Sequence, residues 1–106
     1  MKGMTDEKVP LVRTDIPGPS GRGIVDLDDR YLATVTKSAP LVVDHASGEK
    51  VWDVDGNLFL DFSSGVAVLN IGHCHPSVVK AVQDQAAKVM HFAGTDYYYD
   101  VQSRLA

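Results

Sequence analysis

Residues 51–76 read VWDVDGNLFLDFSSGVAVLNIGHCHP, and the alternation at the start of this stretch leaves few folds open to it. Trp52 and Val54 alternate with Val51, Asp53 and Asp55; Leu58, Leu60 and Phe62 alternate with Phe59 and Asp61; Asp55-Gly56-Asn57 stands between the runs. Period-two alternation on both sides of an Asp-Gly signal predicts an antiparallel hairpin. A three-residue loop at Asp55-Gly56-Asn57 pairs Val54 with Leu58 and Trp52 with Leu60, which gathers four large apolar side chains on one face. A two-residue loop at Gly56-Asn57 instead sets Trp52 against Asp61, so the three-residue loop is favoured. Asn57 then takes the left-handed position, which its short amide tolerates better than most side chains.

Residues 63–76 follow with the small Ser63, Ser64 and Gly65, the apolar run Val66-Ala67-Val68-Leu69, and Gly72-His73-Cys74-His75-Pro76. From the residues alone, the apolar run reads first as a short buried strand between two turns. The glycines around it also suit backbone that passes close to something.

The flanks read more simply. Residues 1–23 are polar and rich in Pro and Gly, so an irregular arm is expected. Gly21-Arg22-Gly23 lacks a preceding strand and the lysine and hydroxyl of a phosphate loop. Ile24, Leu27, Tyr31, Leu32 and Val35 recur at helical spacing and predict an amphipathic helix over 24–37, with Asp26, Asp28 and Asp29 near its positive end. Pro40 ends it, and Leu41-Val42-Val43 opens a strand that Ser47-Gly48-Glu49 turns into the hairpin, giving a β-meander over 41–62. Pro76 suits the first position of a helix expected over 76–90. Its apolar side carries Val78, Val79, Val82, Ala86, Val89 and Met90, and its wet side Lys80, Asp84 and Lys88, with the Asp84-to-Lys88 step in the favourable orientation. Three consecutive tyrosines, Tyr97 to Tyr99, cannot all face one way, and a further helix begins over 100–106.

Composition excludes several functions. A formal charge of −4 without long single-sign runs offers nothing to nucleic acid or an anionic membrane. One cysteine, Cys74, rules out an internal disulfide, and no continuous apolar stretch at the amino terminus suits a signal peptide or a membrane span. A cytoplasmic setting is the simplest expectation.

His73, Cys74, His75 and His91 are suitable zinc ligands by type, yet adjacent residues project in different directions and no second cysteine pair exists. Cys74 beside His73 or His75 could be an activated thiol, but no oxyanion donor can be assigned. Asp53 and Asp61 could form an acid and base pair; tying the hairpin to nearby backbone N–H groups is the better reading.

The ordered set Trp52-Asp53-x-Asp55-Gly56, Asp61-Phe62-x-x-Gly65 and Gly72-His73-x-His75-Pro76, with VVKAVQDQ and the closing RLA, resembles the amino-terminal part of class III (omega-type) pyridoxal-phosphate aminotransferases of fold type I. Within that family it looks most similar to the 4-aminobutyrate aminotransferase branch. The resemblance implies an α/β fold in which an amphipathic helix, a small antiparallel β-meander and a long helix form the start of a much longer enzyme. It implies pyridoxal 5'-phosphate as cofactor, amino-acid and 2-oxo-acid substrates and a homodimer when complete.

Such catalysis needs a lysine for the cofactor, an acid at its ring nitrogen and donors around its phosphate. In the family these lie beyond the part that this chain resembles. No catalytic, cofactor-binding or metal-binding residue is therefore assigned here; Lys37, Lys50, Lys80 and Lys88 do not match, and the chain is expected to be an inactive fragment. By the same resemblance Val66 faces substrate and Thr95 returns to the active-site mouth. Val66 is smaller than the isoleucine common in the family, which loosens the link to 4-aminobutyrate. Racemases, decarboxylases and aminomutases share the scaffold. A stand-alone protein-interaction module using Tyr97 to Tyr99 is the rival of another class.

Overall fold

The computed structural model describes residues 8–32 and 37–106, which fall into two compact units, Met1–His75 and Pro76–Ala106. The first unit is organised around a three-stranded antiparallel meander of β1 (Val43–Ser47), β2 (Lys50–Asp53) and β3 (Leu58–Leu60) in the order β1-β2-β3. β1 meets β2 with an irregularity at Asp44, and His45 stacks on Trp52 across the pair at 4.7 Å.

The β2–β3 hairpin differs from the expected register by two residues. Trp52 faces Leu58, Val51 faces Phe59, and Lys50 faces Leu60. The loop is Val54-Asp55-Gly56, closed by Gly56 N–H donating to Asp53 O at 3.1 Å and Asp53 N–H donating to Asn57 O at 3.1 Å. Gly56, at φ +80, occupies the left-handed position assigned above to Asn57. Glycine reaches that region without a Cβ clash, so its preference outweighs the apolar gathering that favoured the other register. Leu60 thus faces Lys50, and its side chain is exposed.

Displaced from the turn, Asn57 becomes a buried polar hub. Its Nδ2 donates to Asp53 Oδ2 at 2.7 Å and to Thr14 Oγ1 at 2.8 Å, and its Oδ1 accepts from the N–H groups of Arg13 and Thr14. All four side-chain hydrogen-bonding positions are used, which removes the cost of burying the amide. Residues 11–14 of the arm expected to be irregular are thereby tied down, while its residues 1–7 lie outside the described residues. Leu11 also exchanges two 2.8 Å backbone bonds with Leu58 on the free edge of β3. Among the described residues, Leu58 (1% exposed) and Val51 (7%) are the buried large hydrophobics, so the core lies where arm and hairpin meet.

α1 spans Pro19–Tyr31, starting five residues before the expected 24 and ending before 37. Residues 33–36 of the expected helix, including Val35, lie outside the described residues. Pro19 stands at the helix start with its φ already set, and Asp55 caps the turn from a distance. Asp26, Asp28 and Asp29 therefore lie beyond the first turn and do not serve its dipole; Asp28 pairs with Lys37 at 3.5 Å.

The second unit holds α3 (Pro76–Ala86) and α4 (Asp100–Leu105). α3 stops short of the expected 90 because its end tightens: Lys88 N–H turns to Gln85 O at 3.0 Å, and Gln85 Nε2 donates to Val89 O at 2.9 Å. Lys88 lies beyond the helix, so the pair that forms is Lys80 with Asp84 at 2.6 Å rather than Asp84 with Lys88. Val78, Val82, Val89 and Met90 line an open apolar groove of about 700 Å³ with Val101 of α4. Phe92 packs tilted on Tyr97 at 5.0 Å, while Tyr98 is fully exposed. No helix among the described residues is long and apolar enough to cross a membrane.

Candidate functional site

The β1–β2 turn positions the site. Gly48 exchanges two backbone bonds with His73, Gly48 N–H to His73 O at 3.0 Å and His73 N–H to Gly48 O at 2.9 Å. The approach is close enough that a Cβ on Gly72 would lie 3.0 Å from Gly48 Cα. Only glycine fits there, since Gly72 also has φ +87. His73 is thereby fixed to the sheet, and its Nε2–H donates to Asp61 Oδ2 at 2.6 Å.

The other oxygen of Asp61 governs the chain that follows. Oδ1 accepts from Ser63 N and Ser63 Oγ, both at 2.7 Å, and from Ser64 N at 2.9 Å. The Ser63 hydroxyl, His73 and the Ser64 N–H together hold this carboxyl far below the usual carboxylate range. Asp53 is used similarly, its Oδ1 accepting from the N–H groups of Asp55 at 3.0 Å and Asn57 at 2.7 Å. Both carboxylates hold backbone in place, as the reading of their local sequence expects, and neither is set out as a free acid or base.

From Ser64 the backbone winds the unusual way. α2 (Ser64–Ala67) is a single left-handed turn with φ of 52, 60, 63 and 61 at Ser64, Gly65, Val66 and Ala67. It is closed by Ala67 N–H to Ser63 O and Val68 N–H to Ser64 O, both at 2.9 Å. Left-handed helix costs an L-residue about 1–2 kcal/mol, and a β-branched valine there is a true outlier. The expected buried strand at 66–69 does not form. Val66 instead stands 89% exposed at the crest of the turn. Ser64 at the start of the turn helps Gly48, Glu49, Asp61, His73 and the 69–72 segment to wall a cavity of about 330 Å³, which Val66 does not line. Strained backbone of this kind concentrates at functional sites, where the surroundings over-determine it.

Thr95, expected by the resemblance at the active-site mouth, lies exposed in a turn of the second unit, where Asp96 and Tyr97 donate to Ala93 O at 3.0 and 2.9 Å. Cys74 is exposed, at φ +54, and among the described residues no three His, Cys, Asp or Glu side chains gather as metal ligands. The Asp61–His73 contact and the left-handed turn were not found by sequence reasoning. The readable part was Asp61-x-Ser63, the spacing at which an aspartate bonds the backbone two residues on.

The family description Aminotransferase class-III matches residues 31–106. The chain belongs to the class III aminotransferases. Its class III relatives include the acetylornithine aminotransferase of Methanosarcina mazei, 40% identical over 83 residues, which is 78% of this chain and 21% of that protein. That of Bifidobacterium longum is 58% identical over 52 residues, 49% of this chain and 12% of that protein. Among solved class III structures, the acetylornithine aminotransferase of Elizabethkingia anophelis superposes with a TM-score of 0.74 at 30% identity, over 79% of this chain and 22% of that one. The chain thus spans about a fifth of the length of such relatives. The fold is that of this family's α/β enzymes, and the family depends on pyridoxal phosphate. Its relatives here carry acetylornithine in their names, so the family expectation holds while the 4-aminobutyrate branch gains no support.

The described residues do not by themselves fit that cofactor. Lys80 is held by Asp84 and Lys37 by Asp28, and no lysine lines the 330 Å³ cavity. The ionisable walls of that cavity are Glu49, Asp61 and His73, an acidic set unsuited to a phosphate. The backbone donors at the start of α1, the other natural anion site, are taken by Asp55.

Proposed function

We propose that the chain is the amino-terminal segment of a pyridoxal-phosphate-dependent omega-aminotransferase that moves an amino group from an omega-amino acid to a 2-oxo acid. The complete enzyme works as a cytoplasmic homodimer, and the 106-residue chain is inactive alone. The observation that carries this is the family match over 31–106, a span that contains the turn at Ser64–Ala67.

Within that enzyme the segment supplies part of the substrate wall. Val66 is offered to substrate from the crest of the left-handed turn, and Thr95 from the turn after α3. The cofactor supplies the electron sink for the amino transfer, and the groups that hold it come from outside these residues. Acetylornithine or ornithine is favoured over 4-aminobutyrate as donor, because most of the similar relatives and solved structures bear those names. The same names favour transfer over racemisation, decarboxylation or amino-group migration.

The test is steady-state kinetics of the full-length gene product with pyridoxal phosphate, 2-oxoglutarate and a panel of N-acetylornithine, ornithine and 4-aminobutyrate. Glutamate should form, with the highest kcat/KM for one of the first two. Decarboxylated or racemised donor without glutamate would overturn the reading.

A further inference from the structure

We infer that His73 is a positioning residue whose ring N–H, given to Asp61, holds the left-handed turn at Ser64–Ala67 and so sets where Val66 stands against substrate. This rests on the reading of Val66 as a substrate wall.

The geometry forms a closed chain of contacts. The His73 backbone is tied to Gly48 by two hydrogen bonds, next to Gly72, which leaves no room for a side chain. Asp61 is anchored at its own backbone, its N–H donating to Glu49 O at 2.8 Å. Its two oxygens then divide the work: Oδ2 takes His73 at 2.6 Å, and Oδ1 takes the N–H groups of Ser63 and Ser64 together with the Ser63 hydroxyl. Rotation about Cβ–Cγ moves both oxygens together, so the Oδ2 bond to His73 resists any swing that would carry Oδ1 away from the Ser63 and Ser64 N–H groups. The His73 contact therefore aims Oδ1 at the residue where left-handed backbone begins, Ser64 at φ 52. His73 and Asp61 are 20% and 10% exposed, sheltered enough for the bond to persist. The turn carries three non-glycine residues at positive φ, so it relaxes once that aim is lost.

The experiment uses the full-length enzyme with His73→Ala, Asp61→Asn and His73→Gln, the last keeping an N–H donor. Amide exchange at Ala67, Val68 and Leu69 should quicken in the first two and return toward wild type in His73→Gln, while the amides of the β2–β3 hairpin keep their rates. In parallel, kcat/KM for the amino donor should fall about ten- to a hundredfold in His73→Ala, mostly through KM, as a misplaced binding wall predicts. Turn amides that exchange at the wild-type rate in both His73→Ala and Asp61→Asn would overturn the inference. So would turn and hairpin amides quickening together, which marks a general loss of stability. Exchange is read whether or not the enzyme transaminates, so absence of activity in the wild type defeats the proposed function alone. If His73→Ala does not fold, Asp61→Asn against His73→Gln makes the same comparison.

Discussion

The carboxylate of Asp55 lies across the start of α1, accepting from Ser20 N at 2.7 Å and Gly21 N at 2.8 Å, although these residues stand 35 and 34 positions earlier. The hairpin loop thus serves as the helix's cap, a role that Gly18 at the cap position has no side chain to fill. Asp55→Ala should quicken exchange of the Ser20, Gly21 and Arg22 amides and leave β2 and β3 unaffected. Gly18→Ala should be worse, since its Cβ would fall 2.4 Å from Asp55 Cγ. Such a clash costs on the order of 1–3 kcal/mol, and urea unfolding would measure it.

Acid should act on the same contacts. Burial raises the Asp55 carboxyl, but the Ser20 and Gly21 N–H groups outweigh it and leave it below its ordinary value; Asp61 is lowered by Ser63 and His73. A carboxylate lowered in the fold contributes stability that is complete above its unfolded pKa of about 3.9 and is lost as pH falls through the lower folded value. Unfolding midpoints should therefore owe nothing to these two groups' titration above about pH 5 and fall below pH 4. Asp55→Asn and Asp61→Asn should each flatten that fall.

Val66→Gly tests the strain in the left-handed turn. Valine at φ 63 costs about 1–2 kcal/mol, and glycine gives back about 0.5–1 kcal/mol of this through its freer unfolded chain. The exposed side chain loses little burial. The variant should match or exceed wild-type stability by up to about 1.5 kcal/mol, while a clear loss would show Val66 to be packed.

The isolated chain should not behave as a uniformly ordered monomer. Phe62, Val66, Met90 and Leu105 are each at least 86% exposed, and neither α3 nor α4 buries a residue. Exposed apolar surface on this scale promotes association. Sedimentation should show self-association, and exchange should be fast through α3 and α4. Borohydride reduction with pyridoxal phosphate should give no stoichiometric adduct on a single lysine. A monodisperse monomer with slow exchange throughout would contradict the first part, and one labelled lysine the second.

What the sequence determined by itself was local. Alternation around Asp-Gly called for a hairpin, and Pro76 with its i, i+4 pattern called for a helix. Asp53 and Asp61 were legible as backbone ties because their partners lie two to four residues away in the chain. Their contacts follow from dihedral preferences and short side-chain reach, which any window of residues displays. The tertiary structure decided the rest. Asn57 became a buried hub, and not the loop residue, because Thr14 and the Arg13 N–H came to it across the fold. α1 began early because Asp55 supplied a cap from across the fold. The turn at Ser64–Ala67 is met at its start by Asp61, whose other oxygen takes His73 from twelve residues on. Each of these depends on groups brought together only when the chain closes on itself, and no periodicity within a segment records a partner 12 to 43 residues distant.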